Sequence, residues 1–161
     1  MGRSKKDGHS YMQAVGIIKK IDDIPALKDE LITLGDGKTH REMSKYGLLL
    51  AEHILEVSKV ERFEAIDECF AVNERWQAGE VKFQDARNVA FKLHRLAREE
   101  KNPVREKALR VMGQVAATPH VKHHALVASE YAVKLINLMY PKNLDEVRRE
   151  REMQIELMKS V

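Results

Sequence analysis

Helix breakers and reactive residue types are scarce in this sequence. Its 161 residues include one cysteine, one tryptophan, four prolines and eight glycines. The lone Cys69 excludes an intrachain disulfide framework and fits a reducing compartment. So little Gly and Pro beside abundant Ala, Leu, Glu, Lys and Arg argues against a turn-rich β architecture. No segment sustains the alternation of a half-buried strand. No apolar run approaches the roughly 20 residues that cross a bilayer, so no membrane association is expected. The opening MGRSKKDGHS has bases but no apolar stretch or small-residue cleavage pattern after them, unlike a secretory signal. These absences predict a cytoplasmic protein. A formal charge of +3 is mild. Nucleic-acid binders carry a basic stripe on one face, so a nucleic-acid partner is not expected from charge alone.

What is present reads as helix. The 43% hydrophobic and 33% charged fractions fit a helix-rich globular chain long enough for a real core. The predicted fold is all-α: a compact antiparallel multi-helix bundle around a buried central helix at about 118–140. There Val121, Ala125, Ala128, Ala132, Leu135 and Met139 recur at steps of three and four. Leu126, Val127, Val133, Ile136 and Leu138 fill much of the remaining circumference, which calls for neighbours on most sides. Thr118 reads as its N-cap, Pro119 as its first residue and Pro141 as its stop.

The rest of the chain divides at about residue 38. Residues 1–38 read as an N-terminal extension with a mobile basic tail and two short helices, the first over Tyr11–Ile21 and the second started by Pro25 and stopped at Gly35-Asp36-Gly37. Residues 39–161 read as the bundle domain. Thr39 to Glu42 is a capping box opening a helix to about Val57. Ser58 to Glu61 reads as a second box opening a helix over 59–78, with Gly79 as its C-terminal stop. A helix over about 81–100 follows. Asn102-Pro103 then starts another, in which Gly113 permits a close crossing. The last helix runs from Asn143 to about Lys159. Its run Arg148, Arg149, Glu150, Arg151, Glu152 reads as a solvated face with i,i+4 pairing.

Few residues suggest chemistry. His120 and His124 are one helical turn apart, His123 lies beside them, and His94 is in a preceding helix. That spacing can hold a metal between two imidazoles, with Glu130, Glu99 or Glu100 as further ligands if folding gathers them. The H-E-x-x-H arrangement of zinc proteases is absent. The competing reading makes these imidazoles hydrogen-bonding struts between helices, because buried polar groups need partners. Arg87, Lys92, Arg95 and Arg98 edge the helix of His94 and read mostly as solvated. Cys69 lies beside Phe70 and Ala65 without an oxyanion loop and reads as a packed thiol. Gly35-Asp36-Gly37-Lys38 lacks the spacing of a phosphate loop. Between Glu52 and Glu80 eight acids face three bases. Glu61, Glu64 and Glu68, with Asp67 nearby, form the candidate docking surface for a basic partner.

Three stretches together resemble a known family: LLLAEHIL at 48–55, AIDECFAVNERWQAGEVKFQDARNVAFKLHRLARE at 65–99, and GQVAATPHVKHHALVASEYAVKLI at 113–136. The family is the all-helical, immunity-protein-five-like group of bacterial polymorphic toxin systems. The resemblance runs from about Tyr46 to Leu138. Its signature falls on Thr118, His120, His124, Ala125, Tyr131, Ala132 and Lys134, interrupted by Pro119. It implies a non-catalytic protein without a cofactor that binds and occludes a cognate toxin. His94, Thr118, His120, His124, Tyr131 and Lys134 would then form a polar network inside the core. Three other readings stay open: a metal-binding or enzymatic bundle using His94, His120 and His124; a nucleic-acid-associated bundle using Arg3, Lys5, Lys6 and Arg148 to Arg151; and a homodimer.

Overall fold

A computed structural model describes residues 20–161. The Tyr11–Ile21 helix and the basic tail with Arg3, Lys5 and Lys6 lie almost wholly outside that range. The described residues form seven helices: α1 (Pro25–Asp36), α2 (His40–Ser58), α3 (Glu64–Gln77), α4 (Phe83–Glu99), α5 (Pro103–Ala117), α6 (His124–Met139) and α7 (Leu144–Lys159). No strand occurs among them. The fold is an all-α bundle. Each helix from α2 to α7 packs on the next, as short connections require, and α1 docks instead along α7.

Several start and stop signals work as the sequence predicts. The Thr39 side chain accepts from the Glu42 backbone N–H at 3.1 Å, and the Glu42 carboxylate accepts from the Thr39 N–H at 2.8 Å. Asn102 accepts from the N–H of Arg105 ahead of Pro103. Asn143 adds a cap not predicted above, accepting from the N–H of Glu146. Gly79, at φ 77°, ends α3 with paired backbone bonds: its own N–H to Trp76 and that of Glu80 to Arg75. A left-handed residue here is cheapest as glycine.

Two expected helix starts are corrected. Thr118 closes α5 and does not open α6. Its hydroxyl donates back to the Gln114 carbonyl at 3.1 Å, and its N–H bonds Val115. Pro119 follows as a stop, because a proline just past a helix end cannot extend it. Turns carry the chain to His124, where α6 begins. Ser58 likewise ends α2. Lys59 takes the left-handed conformation at φ 61°, and α3 starts only at Glu64 with no side-chain cap on Phe63. Val60 and Phe63 pack against the core, which holds this connection extended.

The core centres on α6, where eleven of sixteen residues are buried. The small side chains Ala125, Ala128, Ser129 and Ala132 are wholly covered. They let α5 and α7 approach closely. The α7 charge run is also corrected. Arg148, Arg149 and Glu152 face solvent, but Glu150 and Arg151 are buried. The helical period that turns Val147, Ile155 and Met158 inward carries Glu150, Arg151 and Gln154 with them.

Candidate functional site

The histidine group lies where α4, α5 and α6 meet. His94 projects from α4 across Gly113 of α5. A Cβ on Gly113 would stand 2.6 Å from His94 Nε2, so a larger residue there would force the ring to move. Arg110 donates to His94 Nδ1 at 2.9 Å. Burial, followed by the charge of Arg110, pushes the His94 pKa down to about 4. His124 opens α6, and its Nδ1 donates to the Gln114 side-chain oxygen at 2.7 Å. Burial pushes its pKa down to about 4 as well. Both imidazoles are therefore neutral at pH 7.

Gln114 links the group, accepting from Thr118 on its carbonyl and from His124 on its side chain. The buried Thr118 carbonyl in turn bonds His40 Nε2 at 2.6 Å, and the His40 ring lies 4.7 Å from that of Trp76. His120 is exposed. Its ring stacks 5.1 Å from Phe83 and 6.4 Å from His124. Tyr131 is buried on α6, and burial raises its hydroxyl pKa. Lys134 is half-buried further along that helix.

The nitrogens of His94, His120 and His124 do not converge. Among the described residues no three His, Cys, Asp or Glu side chains gather as a metal site. Glu100 instead pairs with Arg105 at 2.7 Å, and Glu130 belongs to a different cluster. Cys69 is fully buried, its thiol 3.4 Å from the Met112 carbonyl and its pKa pushed up to about 12 by burial. A thiol so protonated is a poor nucleophile.

A second polar cluster joins four elements. Arg151 of α7 makes a two-pronged bond to Asp23, at 3.0 and 2.7 Å, and also bonds Glu130 of α6. Lys28 of α1 stands 3.3 Å from the other oxygen of Glu130. Gln154 accepts from Arg151 and donates to Glu150 at 2.9 Å. Glu150 then bonds His53 of α2 at 2.7 Å. Burial alone would raise the Asp23 pKa, but the hydrogen bond and charge of Arg151 outweigh it and hold the carboxyl below its usual value. For His53, burial acts downward, and the bond and charge of Glu150 win to raise the pKa. Arg151 escapes a reading of charge as surface, and Glu130, offered above only as a metal ligand, is its ion-pair partner. Their signal is positional: each sits at a helical step from apolar residues that are certain to face inward.

The acidic residues divide between two settings. Glu64, Asp67 and Glu68 lie on α3, whereas Glu61 is in the extended connection before it and does not share the helix. Asp67 bonds Arg62 at 2.8 Å, and Glu68 bonds Lys92 of α4 at 2.7 Å. Glu61 and Glu64 are exposed.

Comparison with known proteins decides the affiliation. Residues 34–161 match the model of a family described as Imm-5 like putative immunity protein. The chain belongs to this family. The match covers α2 to α7 entire and extends beyond the 46–138 stretch in which the sequence shows its resemblance. No curated protein and no solved structure matches the chain. Membership in the Imm-5 like family supports an immunity role and points away from catalysis. Among the described residues no helix is long and apolar enough to cross a membrane.

Proposed function

We propose that this protein protects its host cell by binding a cognate toxin and occluding it, one to one, in the cytoplasm. The observation that carries the reading is the family match over the whole α2 to α7 bundle. The internal engagement of His94, His124 and Cys69 supports a binding role, because groups held this way are poorly placed to meet a substrate. The docking surface is the acidic start of α3, Glu61, Glu64, Asp67 and Glu68, and its partner surface on the toxin is basic. Opposite potentials raise the encounter rate and select the partner.

A toxin-bearing reading frame beside this gene is expected, and the test uses the toxin domain it encodes. Co-expression should restore growth, and the two chains should co-purify as an equimolar complex. A toxin that still kills, with no complex recovered, overturns the reading. Reversing Glu61, Glu64 and Glu68 to Lys together should slow association at low salt. Unchanged binding would move the docking surface elsewhere and leave the function standing.

A further inference from the structure

The outer face of α3 and α4 is charged in a self-complementary way. Phe91, midway along α4, is 58% exposed, the most uncovered large hydrophobic side chain among the described residues. Arg87 and Arg95 stand one turn to either side of it, and Arg98 stands nearly a turn beyond Arg95, all exposed. The Arg87 guanidinium is 5.2 Å from the Phe91 ring centroid. Alongside, α3 exposes Glu64, Asp67, Ala71 and Glu74. One helix of this face thus offers acids and its neighbour offers bases around an aromatic.

Contacts between the two helices set their relative levels. Glu68 reaches Lys92 at 2.7 Å, and the cleft of about 370 Å³ between the helices has Arg75 and Asp85 at its other end. The helices run antiparallel, so each step along α3 matches a step back along α4. Arg87 is therefore level with Glu74, Phe91 with the stretch from Glu68 to Ala71, and Arg95 with Glu64. A two-fold axis lying in the face and parallel to the helices preserves these levels and sets α3 of one copy on α4 of the other. Each Arg95 then meets Glu64 of the second copy, each Arg87 meets Glu74, and each Phe91 lies over the small Ala71. An axis across the helices would instead set acids on acids.

We infer that this face is a homodimer interface: a second copy of the chain docks on α3 and α4 about that axis. Closure is isologous, so assembly stops at two. Exposed Phe and Arg are the residue types that interface centres favour. Helices of 14 and 17 residues present a face only about 20–25 Å long, so the dimer is small, weak and salt-sensitive. A dimer closed here covers Glu64 and Asp67, and a toxin docked on those acids would compete with it.

Sedimentation of the full chain tests this without any toxin, so its failure leaves the toxin reading intact. At concentrations on the order of 100 µM, a dimer should form at about 0.05 M salt and weaken at least about tenfold by about 0.5 M. Phe91→Asp should leave monomer. Glu64→Arg and Arg95→Glu should each break the dimer, and the two combined should restore it. These side chains are exposed, and circular dichroism checks that each variant is folded. A chain monomeric at low salt overturns the proposal. So does a dimer indifferent to Phe91→Asp and Arg95→Glu, or a double variant that stays monomeric.

Discussion

Arg151 has large energetic leverage on the fold. It is 1% exposed, and its partner Glu130 is 0% exposed. Removing one member of a buried pair strands the other's charge, at a cost of about 3–5 kcal/mol. Arg151→Ala should lower the urea-unfolding free energy by about that amount. Replacing Glu130 and Arg151 together with Leu and Met should cost much less, since an apolar pair of similar volume leaves fewer charges stranded. His94 and His124 contribute to acid sensitivity. His94 and His124 have pKa values near 4 in the fold against 6.5 free, so the unfolded chain binds more protons between those values. Stability should therefore fall as pH drops from about 6.5 toward 4, by on the order of 3 kcal/mol per imidazole. Asp23, with a lowered pKa, extends the loss to lower pH. His53, with a raised pKa, acts in the opposite sense: its contribution is present below pH 6.5 and fades as pH rises through its folded pKa. Urea titrations across pH should show a shallower acid slope for His124→Gln.

At the level of elements, the α4–α5 crossing is the most exacting contact. Gly113→Ala sets a methyl against the His94 ring, which is itself held by Arg110. Overpacking of this kind costs about 1–3 kcal/mol, against a helix-propensity gain of up to about 1 kcal/mol. A net loss is expected by thermal denaturation. In the His94→Ala background, where the ring is gone, the same change should be neutral or favourable. Caps are smaller contributors. Thr39→Ala removes the hydroxyl half of the box that starts α2, an expected loss of about 1 kcal/mol.

Across the whole molecule, protection should follow the layering. The α6 helix is enclosed by α2, α5 and α7, so its amides should exchange only through global unfolding. The exposed first turn of α4 should exchange sooner by local opening. Hydrogen exchange resolved by residue would check both. Fast exchange midway along α6 would contradict a central helix.

The chain's own pattern determined the all-α class, the central apolar segment, the caps at Thr39 and Asn102, the Gly79 stop and the close approach at Gly113. Each follows from a few neighbouring residues, through helical period or turn chemistry, and such forces act whatever the rest of the chain does. Tertiary structure decided that Thr118 ends one helix and does not begin the next: Thr-Pro suits either end, and His40 of α2 meets the Thr118 carbonyl where α5 stops. Helical position aims Arg151 and Glu130 inward, but tertiary structure decided that they stay there, since a charge goes inside only when a partner from a distant element meets it. It also decided that His94, His120 and His124 do not share a point. Spacing along a helix sets which side chains share a face, but the crossing of α4, α5 and α6 sets where their nitrogens aim.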